Sequence, residues 1–106
     1  MDLTIEHWNA GSDGELTEFA MCKKLQSRGY QVSHYVYPPG TIFPPHTHDV
    51  DKIDGVLSGR FLLQARGQHL VLEAGDLLAI PSGMVHSAEV LGDDAVVSLD
   101  AVKYQS

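Results

Sequence analysis

An all-β domain, built as an antiparallel sandwich or closed barrel with one helix leading into it, is the fold this sequence predicts, on three observations. Helical periodicity is confined to the stretch before Tyr30. From Gln31 onward β-branched and aromatic residues come in short runs. Clusters of Gly, Pro, Ser and Asp separate those runs at intervals suited to short strands joined by turns.

The leading segment, residues 1–30, comes first. In it Ser12 and Asp13 are candidate N-caps, ELTEFAMCKKLQSR is the helical body, and Gly29 is a stop signal. Leu16, Phe19, Ala20 and Leu25 fall near helical spacing, with Glu15, Glu18, Lys23, Lys24 and Arg28 between them. This pattern predicts one amphipathic helix of about three to four turns, packed on the strands C-terminal to it. The strand-like runs are QVSHYVY (31–37), TIF (41–43), VLSGRFLLQAR (56–66), HLVLE (69–73), DLLAI (76–80), MVHSAEV (84–90) and AVVSLDAV (95–102). Pro38-Pro39-Gly40, Pro44-Pro45, Gly67, Ala74-Gly75, Pro81-Ser82-Gly83 and Gly92-Asp93-Asp94 punctuate them as turns.

Length and charge narrow the function classes. A chain of 106 residues has room for one domain, a barrel over 31–106 with the 1–30 segment packed on it. With 14 acids against 7 bases the net charge is −7, and no stretch gathers Lys and Arg into a patch. Nucleic acid and anionic membrane surfaces are therefore poor partners. The opening residues, MDLTIE, lack the pattern of a signal peptide, and no apolar run approaches the ~18 residues of a membrane helix. A soluble cytoplasmic protein is expected. The single cysteine, Cys22, cannot close an internal disulfide and reads as a small half-buried apolar residue.

Chemistry concentrates in HTHDVDKID, residues 46–54. On a strand alternate side chains share a face, so His46 and His48 point the same way with Cβ atoms roughly 7 Å apart. Two imidazoles at that separation can converge on one ion, although surface pairs and hydrogen-bonded core histidines produce the same spacing. The surroundings add weight. Gly40 stands six residues before His46, Gly59 stands eleven after His48, and a second block, GDLLAIPSGMVH, runs from Gly75 to His86. Gly75 and Gly83 permit tight turns at either end of an apolar strand, and the second turn aims His86 back inward.

In these residues the chain resembles the cupin superfamily, and in size the small single-domain, cupin-2-type barrels. Gly40, His46, His48 and Gly59 fit the first cupin motif, G(X)5HXH(X)3-4E(X)6G, with Val56-Leu57-Ser58-Gly59 at its end. Gly75, Pro81, Gly83 and His86 fit the second, G(X)5PXG(X)2H(X)3N, with Val90 in place of the final Asn. The resemblance implies a small jelly-roll β-barrel whose mouth holds a divalent metal on His46, His48, His86 and an acid of the first motif. Neutral imidazoles suit Fe, Mn, Zn, Ni and Cu alike.

One departure matters. The position of the family's glutamate is occupied by Lys52, whose ammonium has no lone pair to offer a cation. Four placements are open. A one-residue bulge turns Asp51 inward as a fourth ligand while Lys52 points out to pair with Asp49 or Asp54. Alternatively three histidines alone hold the ion, and Lys52 anchors a substrate or donates a proton. In the third, Lys52 replaces the metal and forms a buried ion pair with an acid in a metal-free binding module. In the fourth it is solvated on the rim. The expected ligands are His46, His48 and His86, with Asp51 as an optional fourth.

The other histidines read as structural: His34 as core or surface, His69 as solvent-facing, His7 as packed or exposed beside Trp8. Tyr35, Tyr37, Phe43, Phe61 and Met84 are candidates to line a pocket, with a core role the simpler one. Two function classes remain. One is a metal-dependent enzyme acting on a small molecule: a dioxygenase, isomerase, decarboxylase or sugar-modifying enzyme, with Lys52, Asp51 and Glu89 the only candidates for a general acid or base. The other is a non-catalytic module that binds a small ligand or a metal. A homodimer paired through sheet edges is expected.

Overall fold

The computed structural model describes residues 2–104. Among these residues nine strands make two antiparallel sheets: β1 (Glu6–His7), β7 (Asp76–Ile80), β4 (Asp51–Ser58), β9 (Val96–Lys103) and β2 (Gln31–Tyr37) in one, and β3 (Ile42–His46), β8 (His86–Leu91), β5 (Arg60–Ala65) and β6 (Gln68–Leu72) in the other. The result is the expected all-β jelly roll, with its helical segment between the short β1 and β2.

The alternation of side chains sorts the core into two clusters. Val56 of β4, Leu78 and Ile80 of β7 and Val96 of β9 face the opposite sheet, where Phe61, Leu63, Leu72 and Val90 meet them. The intervening residues Ile53, Leu77, Leu99 and Ala101 face outward and are covered by Met21 and Leu25 of the helix α2 (Glu18–Ser27). Both faces of the five-stranded sheet are thus dry at its centre, which is why Lys52 to Val56 are buried without a break. Against that background Lys52 and Asp54, inward positions of β4, are charged residues where the pattern calls for apolar ones.

The N-terminal segment differs from the single helix expected over Gly11 to Tyr30. It holds a one-turn helix, α1 (Ala10–Asp13), capped by Asn9, and then the ten-residue α2, capped by Thr17. Gly14, at φ 77°, takes the chain out of α1, and the Thr17 hydroxyl accepts from Ala20 N–H at 3.0 Å. Ser12 and Asp13 therefore lie within the first helix and do not cap the second. The buried stripe also shifts. Met21 and Leu25 point inward, whereas Phe19 is 72% exposed, with the Lys23 ammonium 5.5 Å above its ring. The two-residue β1, too short to carry a sequence pattern, pairs with β7, and Trp8 continues it with an N–H to the Gly75 carbonyl.

Two further boundaries differ. The expected turn at Pro44-Pro45 is part of β3, an outer strand of its sheet, where a missing N–H is tolerated on the open side; the pairing with β8 shifts register between Phe43 and His46. The run 56–66 is split at Gly59, and β4 extends back to Asp51. Gly59 adopts φ 86°, and a Cβ there would lie 2.4 Å from the Ala95 carbonyl oxygen. No helix among the described residues is long and apolar enough to cross a membrane.

Candidate metal centre

His46 closes β3, His48 stands two residues later, and His86 opens β8 as the direct cross-strand partner of His46. The Gly83 N–H donates to the His48 carbonyl at 2.8 Å, tying the Pro81-Ser82-Gly83 turn to the histidine loop. Ring centroids lie 4.7 Å apart for His46 and His48, 4.3 Å for His46 and His86, and 5.2 Å for His48 and His86. One nitrogen from each ring falls within 4.8 Å of the others. These three residues, drawn from two well-separated blocks of the chain, form one cluster.

Hydrogen bonds orient two of the rings. His46 Nδ1 lies 2.7 Å from the Pro44 carbonyl oxygen and His86 Nδ1 lies 2.9 Å from that of Met84. A carbonyl only accepts, so each Nδ1 carries a proton, and in the neutral ring Nε2 keeps its lone pair free. His48 Nε2 is buried and has no hydrogen-bond partner, a costly state for a polar atom. Burial, followed by the nearby Lys52, His46 and His86, holds the His48 pKa below its usual value; burial also lowers that of His86, against the support of the Met84 carbonyl. Both imidazoles are neutral near pH 7, the form that binds a metal. A buried orphan nitrogen and two carbonyl-fixed tautomers fit a transition-metal ion.

Lys52 points inward and is 9% exposed, so the outward and solvated placements do not hold. Its Nζ lies 3.1 Å from Asp54 Oδ1 and 3.6 Å from Asp100 Oδ2. Asp54 Oδ1 makes this ion contact without a well-directed hydrogen bond. Burial disfavours the Lys52 ammonium, but the two carboxylates outweigh it and its pKa stays above the usual lysine value. Burial pushes Asp54 up to about 6; Asp100 adds to the rise and Lys52 opposes it. Asp100 is held in turn by the Tyr37 hydroxyl at 3.2 Å and by Ser98 Oγ at 3.4 Å. Burial, and then the two carboxylates, keep the Tyr37 phenol protonated far above its usual pKa.

Asp51 does not join the histidines. The pairing of β4 runs in register from Asp51 to Val56, so the bulge that would turn Asp51 inward is absent there. Its carboxylate instead accepts from the Ser82 N–H at 2.9 Å. Glu89 alternates with the inward-facing Ala88 and Val90 and lies outside the cavity lining. His7, His34 and His69 are exposed, and His7 sits 2.7 Å from Asp76.

The histidines and the charged cluster share a cavity of about 110 Å³ whose remaining wall is Tyr37, Phe43, Phe61 and Ala88. Tyr37 meets Phe43 edge-on at 4.9 Å and stacks on Phe61 at 5.6 Å. A depression of about 240 Å³ at the mouth, lined by Ser33, Tyr35, Val102 and Tyr104, shares His48, Lys52 and Asp100 with the cavity. Lys52 and Asp100 thus stand where the two spaces meet. Asp100 and the Tyr37 hydroxyl were missed from sequence, and Asp54 was expected to meet Lys52 outside the barrel; its placement two residues after Lys52 on one strand was the signal that both face inward.

A jelly roll with an inward histidine triad, ordered by backbone carbonyls and set in an aromatic-walled cavity, defines a metal-ready β-barrel. The cupin-domain profile matches residues 33–102, and the chain belongs to the cupin family. Over 94 residues it is 34% identical to germin-like protein 9-3 of Oryza sativa subsp. japonica, covering 81% of this chain and 44% of that protein. Over 80 residues it is 40% identical to the bifunctional lysine-specific demethylase and histidyl-hydroxylase NO66 of Branchiostoma floridae, covering 69% of this chain and 13% of that one. The chain thus spans less than half the length of these two relatives. Among solved structures it superposes on KdgF from Halomonas sp. with TM-score 0.62 at 25% identity, covering 72% of this chain and 71% of the other. A cupin-like protein from Thermotoga maritima gives TM-score 0.63 at 29% identity, over 70% and 56% of the two chains.

Proposed function

We propose that this cupin binds one divalent transition metal through His46, His48 and His86 and accepts a small organic molecule at the positions the three imidazoles leave open. The observation that carries this reading is the convergence of three imidazole nitrogens within 4.8 Å, one of them a buried His48 Nε2 with no other partner. A bound ion would supply Lewis acidity or a redox centre, and neutral imidazoles suit Fe, Mn, Zn, Ni and Cu. The chain's own groups do the rest. The Pro44 and Met84 carbonyls hold the rings in their ligating tautomer. Phe43, Phe61 and the Tyr37 ring exclude water from one side. Lys52, at the junction of cavity and mouth, is placed to meet a polar group of the incoming molecule. The inner cavity, about 110 Å³, is smaller than the ~150 Å³ that houses benzene, so a larger ligand extends into the mouth.

Metal-dependent chemistry on a small substrate, of the dioxygenase, isomerase or sugar-modifying kind, is the reading to which the likeness to a histidyl-hydroxylase and to KdgF lends support. A non-catalytic ligand- or metal-binding module is the second reading. It draws on the absence, among the described residues, of a free acid beside the histidines, since Asp54 and Asp100 are both engaged with Lys52. We place the protein in the cytoplasm, a setting that suits the lone thiol of Cys22, without nucleic-acid or membrane partners, in keeping with its net charge of −7. Elemental analysis of purified protein tests the site. Stoichiometric metal in the wild type and none in His86→Ala supports it; a wild type that neither retains nor takes up metal overturns it.

A further inference from the structure

Two carboxylates crowd around one buried ammonium. Lys52 Nζ is 3.1 Å from Asp54 Oδ1 and 3.6 Å from Asp100 Oδ2, and Lys52 and Asp54 are 9% and 4% exposed. One carboxylate would neutralise Lys52. The second is in excess, repels the first and loses hydration on burial, yet Tyr37 and Ser98 both donate to it and hold it in place. Such a surplus negative charge calls for a further cation in the same enclosure. The same cavity wall holds three imidazoles and, apart from Lys52, Asp54 and Asp100, no side chain that is charged at neutral pH.

We infer that Lys52, Asp54 and Asp100 act as one unit of net charge −1 that balances the ion held by His46, His48 and His86, in place of the carboxylate ligand that the cupin motif sets at position 52. The inference rests on the three-histidine reading of the site. It explains why an ammonium is tolerated at this position: Asp54 and Asp100 neutralise it and leave the unit with one negative charge, and Asp100 opposes the Lys52 field at His48 through space instead of through a bond. It also leaves the coordination position of the missing ligand free for a bound molecule.

The test is titration of the apo protein with Zn²⁺ and Co²⁺ at pH 8, against a competing chelator, alongside thermal melts of the apo forms. Asp100→Asn, which brings the unit to zero charge, weakens metal binding by about 10–100-fold, whereas Asp100→Glu, which keeps the charge, stays near wild type. Lys52→Met combined with Asp100→Asn returns the net charge to −1 and recovers affinity, even though the apo form melts lower than that of Asp100→Asn alone. A purely structural ion pair gives the opposite pattern, with affinity following the melting temperature. Equal affinity in wild type, Asp100→Asn and Asp100→Glu overturns the inference whether or not the double variant folds. A wild type that binds neither ion overturns the three-histidine reading beneath it.

Discussion

The Lys52 ammonium and the Asp54 carboxylate meet at 3.1 Å inside the barrel, two residues apart on one strand and both nearly closed to water. A buried pair of this kind stabilises little in itself, but the loss of one member strands the other. Lys52→Ala leaves Asp54 and Asp100 facing each other without a counterion. We expect a loss of about 3–5 kcal/mol, a large share of the stability of a small domain. Urea unfolding near pH 7.5 with chelator present measures it, and a loss below about 1 kcal/mol would mean that water reaches the pair freely.

The acid limb of stability carries the signature of Asp54. Its pKa in the fold, about 6, lies above the ordinary 3.8, because burial favours the protonated form. A raised folded pKa contributes stability that is complete below the unfolded value and is lost as pH rises through the folded one. Asp54→Asn cannot titrate. The stability of wild type relative to this variant should therefore fall between about pH 4 and about pH 6 and level off above. Paired urea titrations of the two apo proteins check the sign; a difference that grows with pH over that interval would refute it.

Gly59 separates β4 from β5 at a place where backbone passes close to backbone. At φ 86°, and with the Ala95 carbonyl oxygen 2.4 Å from where a Cβ would sit, Gly59→Ala faces both conformational strain and a clash that no side-chain rotation relieves. The strain alone is worth about 1–3 kcal/mol, and the total exceeds it. Gly67→Ala, at φ 77° with nothing within 4 Å, bears the strain without the clash and should cost less. Thermal melts of the two variants rank them; Gly67→Ala melting at or below Gly59→Ala would remove the clash from the explanation.

Helix α2 starts where Thr17 caps it. Thr17→Ala should cost about 1 kcal/mol, the usual worth of an N-cap. Ser12→Ala should be close to neutral, because the Ser12 hydroxyl makes only a long 3.4 Å contact to the Asn9 carbonyl. Circular-dichroism melts of the two variants compare them, and equal effects would return the helix start to the earlier residue.

Strand β2 forms an outer edge of the five-stranded sheet and leaves Tyr35 and Val36 47% and 55% exposed. Open edges with apolar side chains invite pairing with another chain. We expect a homodimer at twice the 11.6 kDa of one chain in size-exclusion light scattering, and a monomer after Val36→Lys. A wild-type monomer at micromolar concentration would dismiss the edge as an interface.

The all-β architecture was legible in the sequence because Gly and Pro fall at nearly every strand end, and the histidine cluster because its spacing survives intact in two separate blocks. Pro44 and Pro45 misled because proline ordinarily closes a strand, and only the position of β3 at an edge, a tertiary fact, admits them. The helix start was misplaced because Ser12, Asp13 and Thr17 are all competent caps and Gly14 decides among them by its left-handed backbone. Asp51 was overvalued because adjacency in the chain stood in for facing, and the unbroken register of β4 turns it to Ser82. Asp100 reaches Lys52, and Tyr37 reaches Asp100, only because β9 lies between β4 and β2, an order that no local pattern encodes.

The division of the histidines between strands has a kinetic consequence. His46 and His48 belong to the edge strand β3 and the loop after it, while His86 belongs to β8, clasped on both sides by β3 and β5. Fraying of an edge is the cheapest opening a sheet possesses. At the proposed three-histidine site, peeling β3 away would withdraw two of the three nitrogens in a single motion and leave the third in place, so the exchange rate of a bound ion would follow the breathing rate of one short, proline-bearing strand. Amide hydrogen exchange at Phe43 and at Ala88, its partner across the ladder, would then report the same clock as metal release.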